Sequence, residues 1–291
     1  MKKGVIIRNI DQAQKISKYI DAFLIPLKGL SVNYQNTFTI EEIKELKKLK
    51  KEIFVFVNKN IENDELKELE KVLKELEKIT VQGIIFYDIA IVELKKELNL
   101  KTDLVWHQEH LTTNYGTVNY WYGKGAKYAY LSSELTKREI EEIKKNTKAK
   151  IFINVFGYIP MFTSKRHILN NYKETFDIKE KGTEIYKEDK KYKINDTKEG
   201  TTVYSDYLLN VKEKIDADYM IYNSNMLEDD LTELLKGKNT YKEENGFMHK
   251  ETIYKVKWNE KTRVIISSRR FRKIKNCPNV WRWCRIYWRV L

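Results

Sequence analysis

Eight times along this chain a short run of β-branched and aromatic residues gives way to a helix-forming segment, and that rhythm restricts the fold more than any other feature. The third run, IFVFV at 53–57, is apolar without interruption, as a strand buried on both faces must be. In the segment after it, 63–79, Leu66, Leu69, Val72, Leu73, Leu76 and Ile79 recur at spacings of three and four, which puts them on one helical face. The other expected strands are 5–8, 22–27, 83–87, 104–106, 128–131, 151–156 and 219–222, with expected helices at 10–20, 89–98 and 115–122. Thr39 with Glu42, and Thr136 with Glu139, are capping-box signatures that open two further helices, the second running to about Asn146. Asn225 is placed to cap a last helix that ends at Lys236, with Gly237 just past it.

Strands that alternate with helices are joined by crossovers, and crossovers make parallel sheets. The pattern therefore predicts an α/β protein, a TIM-barrel-like (β/α)8 fold, with a doubly wound open sheet as the alternative. One region breaks the rhythm. Residues 173–217 replace the simple helix after strand 7 with a charged, Tyr-rich stretch whose turn signals, Asn195-Asp196 and Glu199-Gly200, predict a β-rich excursion.

The formal net charge of +13 invites a nucleic-acid reading, but it is unevenly placed. Residues 263–291 hold seven Arg, two Lys and no Asp or Glu, which leaves +4 on residues 1–262. That tail also holds both cysteines, Cys277 and Cys284, and three of the six tryptophans. Such a change in residue usage marks either a basic aromatic arm suited to phosphates and interfaces, or non-native sequence such as a coding stretch read in a shifted frame. We expect a barrel domain over 1–262, with 263–291 set apart from it. No apolar run approaches membrane-spanning length, and the four-residue apolar stretch near the N-terminus is too short for a signal-peptide core, so a cytoplasmic location is expected.

In a barrel of parallel strands, reactive groups collect at the carboxyl ends of the strands. That rule selects Asn58 after strand 3, Asp88 after strand 4, His107, Glu109 and His110 after strand 5, and Glu134 after strand 6. It also selects Tyr158, Arg166 and His167 after strand 7 and Asn223 after strand 8. His107, Glu109, Asp88, Glu134 and Arg166 are the catalytic candidates. Asn58, Tyr158 and Asn223 are candidates for substrate binding, and His107, His110 and His167 for a divalent metal. The bland alternatives stand beside these: the histidines bond loop backbone or fill the barrel mouth, and Asp88 pairs with Arg166 or Arg8. Ser132, Ser133 and Ser164 lie near the same rim without a nucleophile elbow, and no Gly-rich phosphate loop occurs.

Several stretches carry a resemblance to a known family. They are FTIEEIKELKK at 38–48, the run from IFVFVNKN through IAIVELKKEL, DLVWHQEHLTTNYGTVNYWYGKGAKYAYLSSELTKREIEEI from 103, and GFMHKETIYKVK from 246. Across about 36–257 the chain resembles peptidase family U32, the collagenase-like proteases. The family's signature places a glycine after strand 7, a cysteine three residues on, then Ser-Gly-x-Cys. Here Gly157, Ser164 and the basic Arg166 match, while Pro160 and His167 stand at the cysteine positions and Lys165 replaces the glycine. The Lys-Ile-Glu-Gly-Arg-like segment expected after strand 8 reads MIYNSN.

The resemblance thus implies a divergent, cysteine-depleted member acting as a peptide hydrolase on peptide or protein substrates. Some relatives are iron–sulfur proteins that hydroxylate RNA bases or a quinone precursor. Thiolates hold such clusters, so no iron–sulfur cluster is expected on residues 1–262. The alternative is a non-catalytic or RNA-binding accessory barrel, serving RNA modification, that has lost the cluster.

Overall fold

A computed structural model describes residues 1–178 and 184–250. The basic tail 263–291, the part of the expected closing strand beyond Lys250, and a domain limit at 262 lie outside the described residues.

The eight anticipated strands all form. They are β1 (Lys2–Ile6), β2 (Ala22–Pro26), β3 (Glu52–Val57), β4 (Gly83–Phe86), β5 (Asp103–Trp106), β6 (Tyr128–Tyr130), β7 (Lys150–Gly157) and, after a detour, β13 (Tyr219–Asn223). Each pairs in parallel with its neighbours, and β7 bonds both β6 and β13, which closes the ring. The chain is therefore a TIM-like (β/α)8 barrel.

Helices α1 (Ile10–Ile16), α2 (Ile40–Lys47), α3 (Leu66–Ile79), α4 (Ala90–Glu97), α5 (Tyr115–Gly123) and α6 (Lys137–Lys145) follow the first six strands. Both capping boxes are present: Thr39 and Thr136 each accept the amide three residues on, and Glu42 and Glu139 return the bond. α3 buries Leu69, Leu73, Leu76 and Ile79, the face its spacing announces, each worth about 1.5–3 kcal/mol of apolar transfer. Inside the ring, Phe54 meets Tyr128, Phe152 and Tyr219 edge-on at centroid distances of 5.4, 5.0 and 5.5 Å. These rings fill the barrel interior with a packed aromatic plug rather than a pore.

The detour between β7 and β13 begins earlier than the sequence suggests. The segment after Gly157, expected as a loop, forms β8 (Pro160–Ser164). It is followed by α7 (Ile168–Thr175), β9 (Glu184–Lys187), β10 (Lys190–Thr197) and β11 (Gly200–Tyr204). These strands make an antiparallel sheet in the order β8-β11-β10-β9. Pro160 sits at the first residue of an edge strand, where its missing N–H costs no ladder bond. β12 (Leu209–Asn210) then runs antiparallel along the end of β7. At Gly157, φ is +118° and a Cβ would lie 2.4 Å from the Asn223 carbonyl oxygen, so only glycine lets the chain leave the barrel there.

The final helix is shorter than expected, α8 (Thr232–Leu235), and Asn225 does not cap it. The Asn225 side chain instead bonds Gln35, Tyr204 and the Asn33 carbonyl. Among the described residues no helix is long and apolar enough to cross a membrane.

Candidate functional site

The excursion sheet and the loops at the carboxyl ends of the barrel strands enclose a cavity of about 560 Å³. Asn33, Asn58, Asn60, His107 and Glu109 line it, Tyr87 lies at its side, and Lys59, Lys165 and Lys198 also border it. A smaller cavity of about 30 Å³ shares His107 and Glu109 with the first and adds His110, Tyr130, Glu134, Asn154 and Asn223. That is room for about two water molecules in polar surroundings.

Asn33 ties the site together. It holds a left-handed backbone, φ +71°, which asparagine tolerates better than other residues with a Cβ. Its Oδ1 accepts from the hydroxyls of Thr163 at 2.6 Å and Thr202 at 2.9 Å, so β8 and β11 of the excursion are fastened to the loop after β2. Its carbonyl accepts from Tyr204 Oη at 2.6 Å and Asn225 Nδ2 at 3.0 Å. Its remaining donor, Nδ2, points to the Glu109 carboxyl. Asn58 braces the same loop through its side chain and the Val32 backbone.

Two titratable groups here are strongly perturbed. Burial pushes the Glu109 carboxyl up to about 7, against the weaker opposing pull of His110 and the Asn33 hydrogen bond. Burial also drives the His107 imidazole down to about 4. Its ring stacks on Tyr130 at 4.3 Å, and Nδ1 lies 3.4 Å from the Tyr130 carbonyl oxygen. A carbonyl can only accept, so Nδ1 carries the proton and Nε2 is left as an acceptor. The Tyr34 hydroxyl is raised by burial and then by Tyr130, Glu109 and Tyr204 around it. Tyr130 donates to Asn154 Oδ1, and Asn154 Nδ2 donates to Ser133 Oγ at 2.8 Å. At neutral pH the floor of the site thus holds an uncharged His107 beside a Glu109 that is losing its proton, and the charged Lys59, Glu62, Lys165, Lys198 and Glu199 surround them.

The structure gathers some of the sequence-selected residues and separates others. Asn58, His107 and Glu109 share the larger cavity; His107, Glu109, His110, Glu134 and Asn223 share the smaller. Asn223 Nδ2 donates to the Tyr158 carbonyl at 3.3 Å, so it fixes the turn after β7, while the Tyr158 ring borders neither cavity. Asp88 is spent on backbone, accepting from the amides of Ile61 and Ala90 at 2.9 Å each. It pairs with neither arginine: Arg8 donates to the carbonyls of Leu227, Glu228 and Asp229, and Arg166 is exposed outside both cavities.

The expected three-histidine metal site does not assemble. His107 stacks in the barrel, His110 bonds Glu134 at 3.0 Å, and His167 bonds Asp196 at 3.0 Å on the excursion. Among the described residues no three His, Cys, Asp or Glu side chains are grouped so that they could hold a metal ion. An iron–sulfur cluster does not fit either. Pro160 lies in a paired strand, His167 is committed to Asp196, and residues 1–262 contain no thiol. Cys277 and Cys284 alone fall short of the four ligands such clusters take. Asn33, Tyr130 and Tyr204 were not foreseen. Asn33 lies well beyond the end of β2, and the two tyrosines sit within strands, where an aromatic residue reads as core.

Comparison with known proteins agrees with this architecture. The family model for peptidase family U32 matches residues 9–250. The tRNA hydroxylation protein P2 of Bacillus subtilis (strain 168) is 34% identical over 198 residues, covering 63% of this chain and 64% of that protein. The tRNA hydroxylation protein P1 of the same organism is 30% identical over 148 residues, covering 50% of this chain and 35% of that protein. The chain therefore spans less than two thirds of the length of either relative. The solved structure of the U32 peptidase Mk0906 superposes with a TM-score of 0.53 at 13% identity, over 77% of this chain and 92% of that one, which shows a shared fold.

Proposed function

This chain belongs to peptidase family U32, and we propose that within it the protein is a tRNA-directed barrel that seats one unstacked base in the mouth cavity and carries no iron–sulfur cluster of its own. The observation that carries the reading is the chemistry of the cavity wall. Near pH 7 His107 is uncharged and Glu109 still holds its proton about half of the time, a wall that suits a nucleobase edge better than a strongly charged ligand. Protonated Glu109 donates to a base carbonyl oxygen, and His107 Nε2 accepts from an imino N–H. Asn33 holds the carboxyl in place through Nδ2. The exposed Tyr87 ring offers a stacking surface, and Lys198, which makes no ion pair among the described residues, offers a cation for phosphate.

The names of the two Bacillus relatives point to transfer RNA as the nucleic acid and to hydroxylation as the process served. Without a cluster, this barrel contributes binding to that process rather than its redox chemistry. On this reading residues 1–262 are the functional unit, and the segment 263–291 adds general attraction for phosphate.

The test is filter binding of the full chain to tRNA across a salt series. Affinity falls with salt, and Lys198→Ala reduces the slope of log K against log salt by about one. His107→Ala weakens binding by about tenfold, the low end of a lost base contact, with the tail unchanged in every variant. Binding that is identical in all three proteins would refute the reading.

One observation favours a second reading, peptide hydrolysis. A carboxyl at about 7 beside a cavity is what a general base for water requires. Casein digestion by the full chain that vanishes in Glu109→Gln would support it. Digestion no faster than in an enzyme-free control would remove it.

A further inference from the structure

The excursion sheet borders both cavities of the mouth without sharing the barrel's core. No described residue from Pro160 to Tyr204 belongs to any of the three buried apolar clusters. Polar contacts seat the sheet on the frame instead. Thr163 and Thr202 donate to Asn33 Oδ1, Tyr204 donates to the Asn33 carbonyl, and Lys165 pairs with Glu62 at 2.9 Å. That ion pair is solvent-exposed and therefore a weak fastening. An element held in this way, with few buried apolar contacts to the rest of the fold, opens more readily than the core does.

Glu109 lies beneath this sheet. Thr163, Lys165, Lys198 and Glu199 of the excursion line the larger cavity with it, and Pro160 lines the smaller. The groups that favour its charge stand elsewhere: His110 and Asn33 oppose the burial, and both belong to loops of the barrel. Of the other charged groups at the mouth, Lys59 pairs with Glu65, Lys165 with Glu62, and Glu134 with His110, and Lys198 is not among the groups that act on Glu109. The tyrosines around the carboxyl, Tyr34, Tyr130 and Tyr204, are held protonated by burial. The excursion thus supplies cover and no compensating charge. Lifting it lets water reach an ionised Glu109 while both favourable partners stay in place. A cover that raises the proton affinity of a carboxyl is loosened when the proton leaves. His107 is sheltered differently, by the barrel's own Tyr130 and Phe56 rings at 4.3 and 6.2 Å.

We infer that the excursion sheet is a cover over the mouth gated by the proton on Glu109: β8 and β11 stay seated on Asn33 while the carboxyl is protonated and lift when it ionises. Both ends of the cover are fixed to the ring, where Gly157 and Phe156 pair with Leu209 and Asn210, so it opens without leaving the frame. The gate is a property of the protein alone and stands independently of the ligand that the mouth takes.

Native-state hydrogen exchange of the full chain without ligand, at about pH 6, 7 and 8 and corrected for the intrinsic rate at each pH, tests it. At every pH the β8 and β11 amides exchange through a larger opening constant than the β3 amides, which report the barrel. That constant rises with pH. The rise reaches about tenfold between pH 6 and 8 if opening returns Glu109 from about 7 to its ordinary 4.5. In Glu109→Gln the rise is lost. His107, His110 and His167 are present in both proteins, so their contributions cancel in the comparison. Circular dichroism melts verify that the variant is folded, and a wild-type opening constant that is flat or falls with pH refutes the gate without it. An equal rise in folded Glu109→Gln, or β8 and β11 amides protected as strongly as those of β3, would also overturn the inference.

Discussion

Replacing Glu109 by Gln should make the protein more stable, with a gain that grows from about pH 4.5 and is complete above about pH 7. Burial moves this carboxyl from its ordinary 4.5 to about 7. Between those values the unfolded chain is ionised while the folded one still holds its proton, so stability falls as pH rises. Above about 7 both states are ionised and the penalty is complete, at about 3 kcal/mol or less, since the side chain keeps some solvent contact. Glutamine removes the penalty and keeps an oxygen to accept the Asn33 Nδ2 bond.

His107 acts with the opposite sign. Its value falls from 6.5 to about 4, so its cost appears as pH drops below 6.5 and is complete below about 4. The two costs are similar in size and overlap between pH 4.5 and 6.5. The wild type therefore shows a deceptively flat stability profile from pH 4 to 8. In Glu109→Gln only the histidine contribution remains, and stability climbs from pH 4 to about 6.5. Urea unfolding of both proteins at pH 4, 5, 6, 7 and 8, at constant ionic strength, reads this directly. The difference between them should be near zero at pH 4 and about 2–3 kcal/mol in favour of the variant at pH 8. A difference independent of pH, or a variant less stable than wild type at pH 8, would refute the assignment of Glu109 as a buried, proton-holding carboxyl.

Gly157→Ala should cost more than about 2 kcal/mol in the same unfolding assay, because the new methyl meets the Asn223 carbonyl and the positive φ becomes strained. Asn33→Ala should accelerate hydrogen exchange of the β8 and β11 amides while leaving β3 protected, since the loss falls on the bonds to Thr163 and Thr202. Tyr130→Phe should lower stability by about 1–2 kcal/mol, because Asn154 Oδ1 loses its donor inside the barrel.

The barrel was legible because its signals are local. The unbroken IFVFV run, the α3 stripe and the two capping boxes each depend on residues within a few positions of one another, and each formed, although Leu66 at the start of the stripe is exposed. β8 was missed because PMFTS has no clean alternation, and its partner β11 lies across a helix and two strands. The rim rule located Asn58, His107 and Glu109 correctly at the mouth, since the end of a strand sets position. It could not set direction. Asp88 occupies the rim but turns its carboxylate onto two amides, and His167 leaves the rim altogether with β8 and α7. Asn33 was illegible for a different reason. A lone asparagine in a loop shows nothing of the threonines that reach it from residues 163 and 202.

The pairing of Leu209 with Gly157 and Asn210 with Phe156 has a consequence for how this protein can change. The chain departs from the ring and comes home at the same spot, so β8 and β11 form a pendant outside the closed frame, tied back to it through Asn33. Lengthening or shortening a pendant alters the entropy of one closed loop only slowly, and leaves the ring's own ladder untouched. A change of length in this appendage would thus alter what the mouth admits while the staves of the barrel stay as they are.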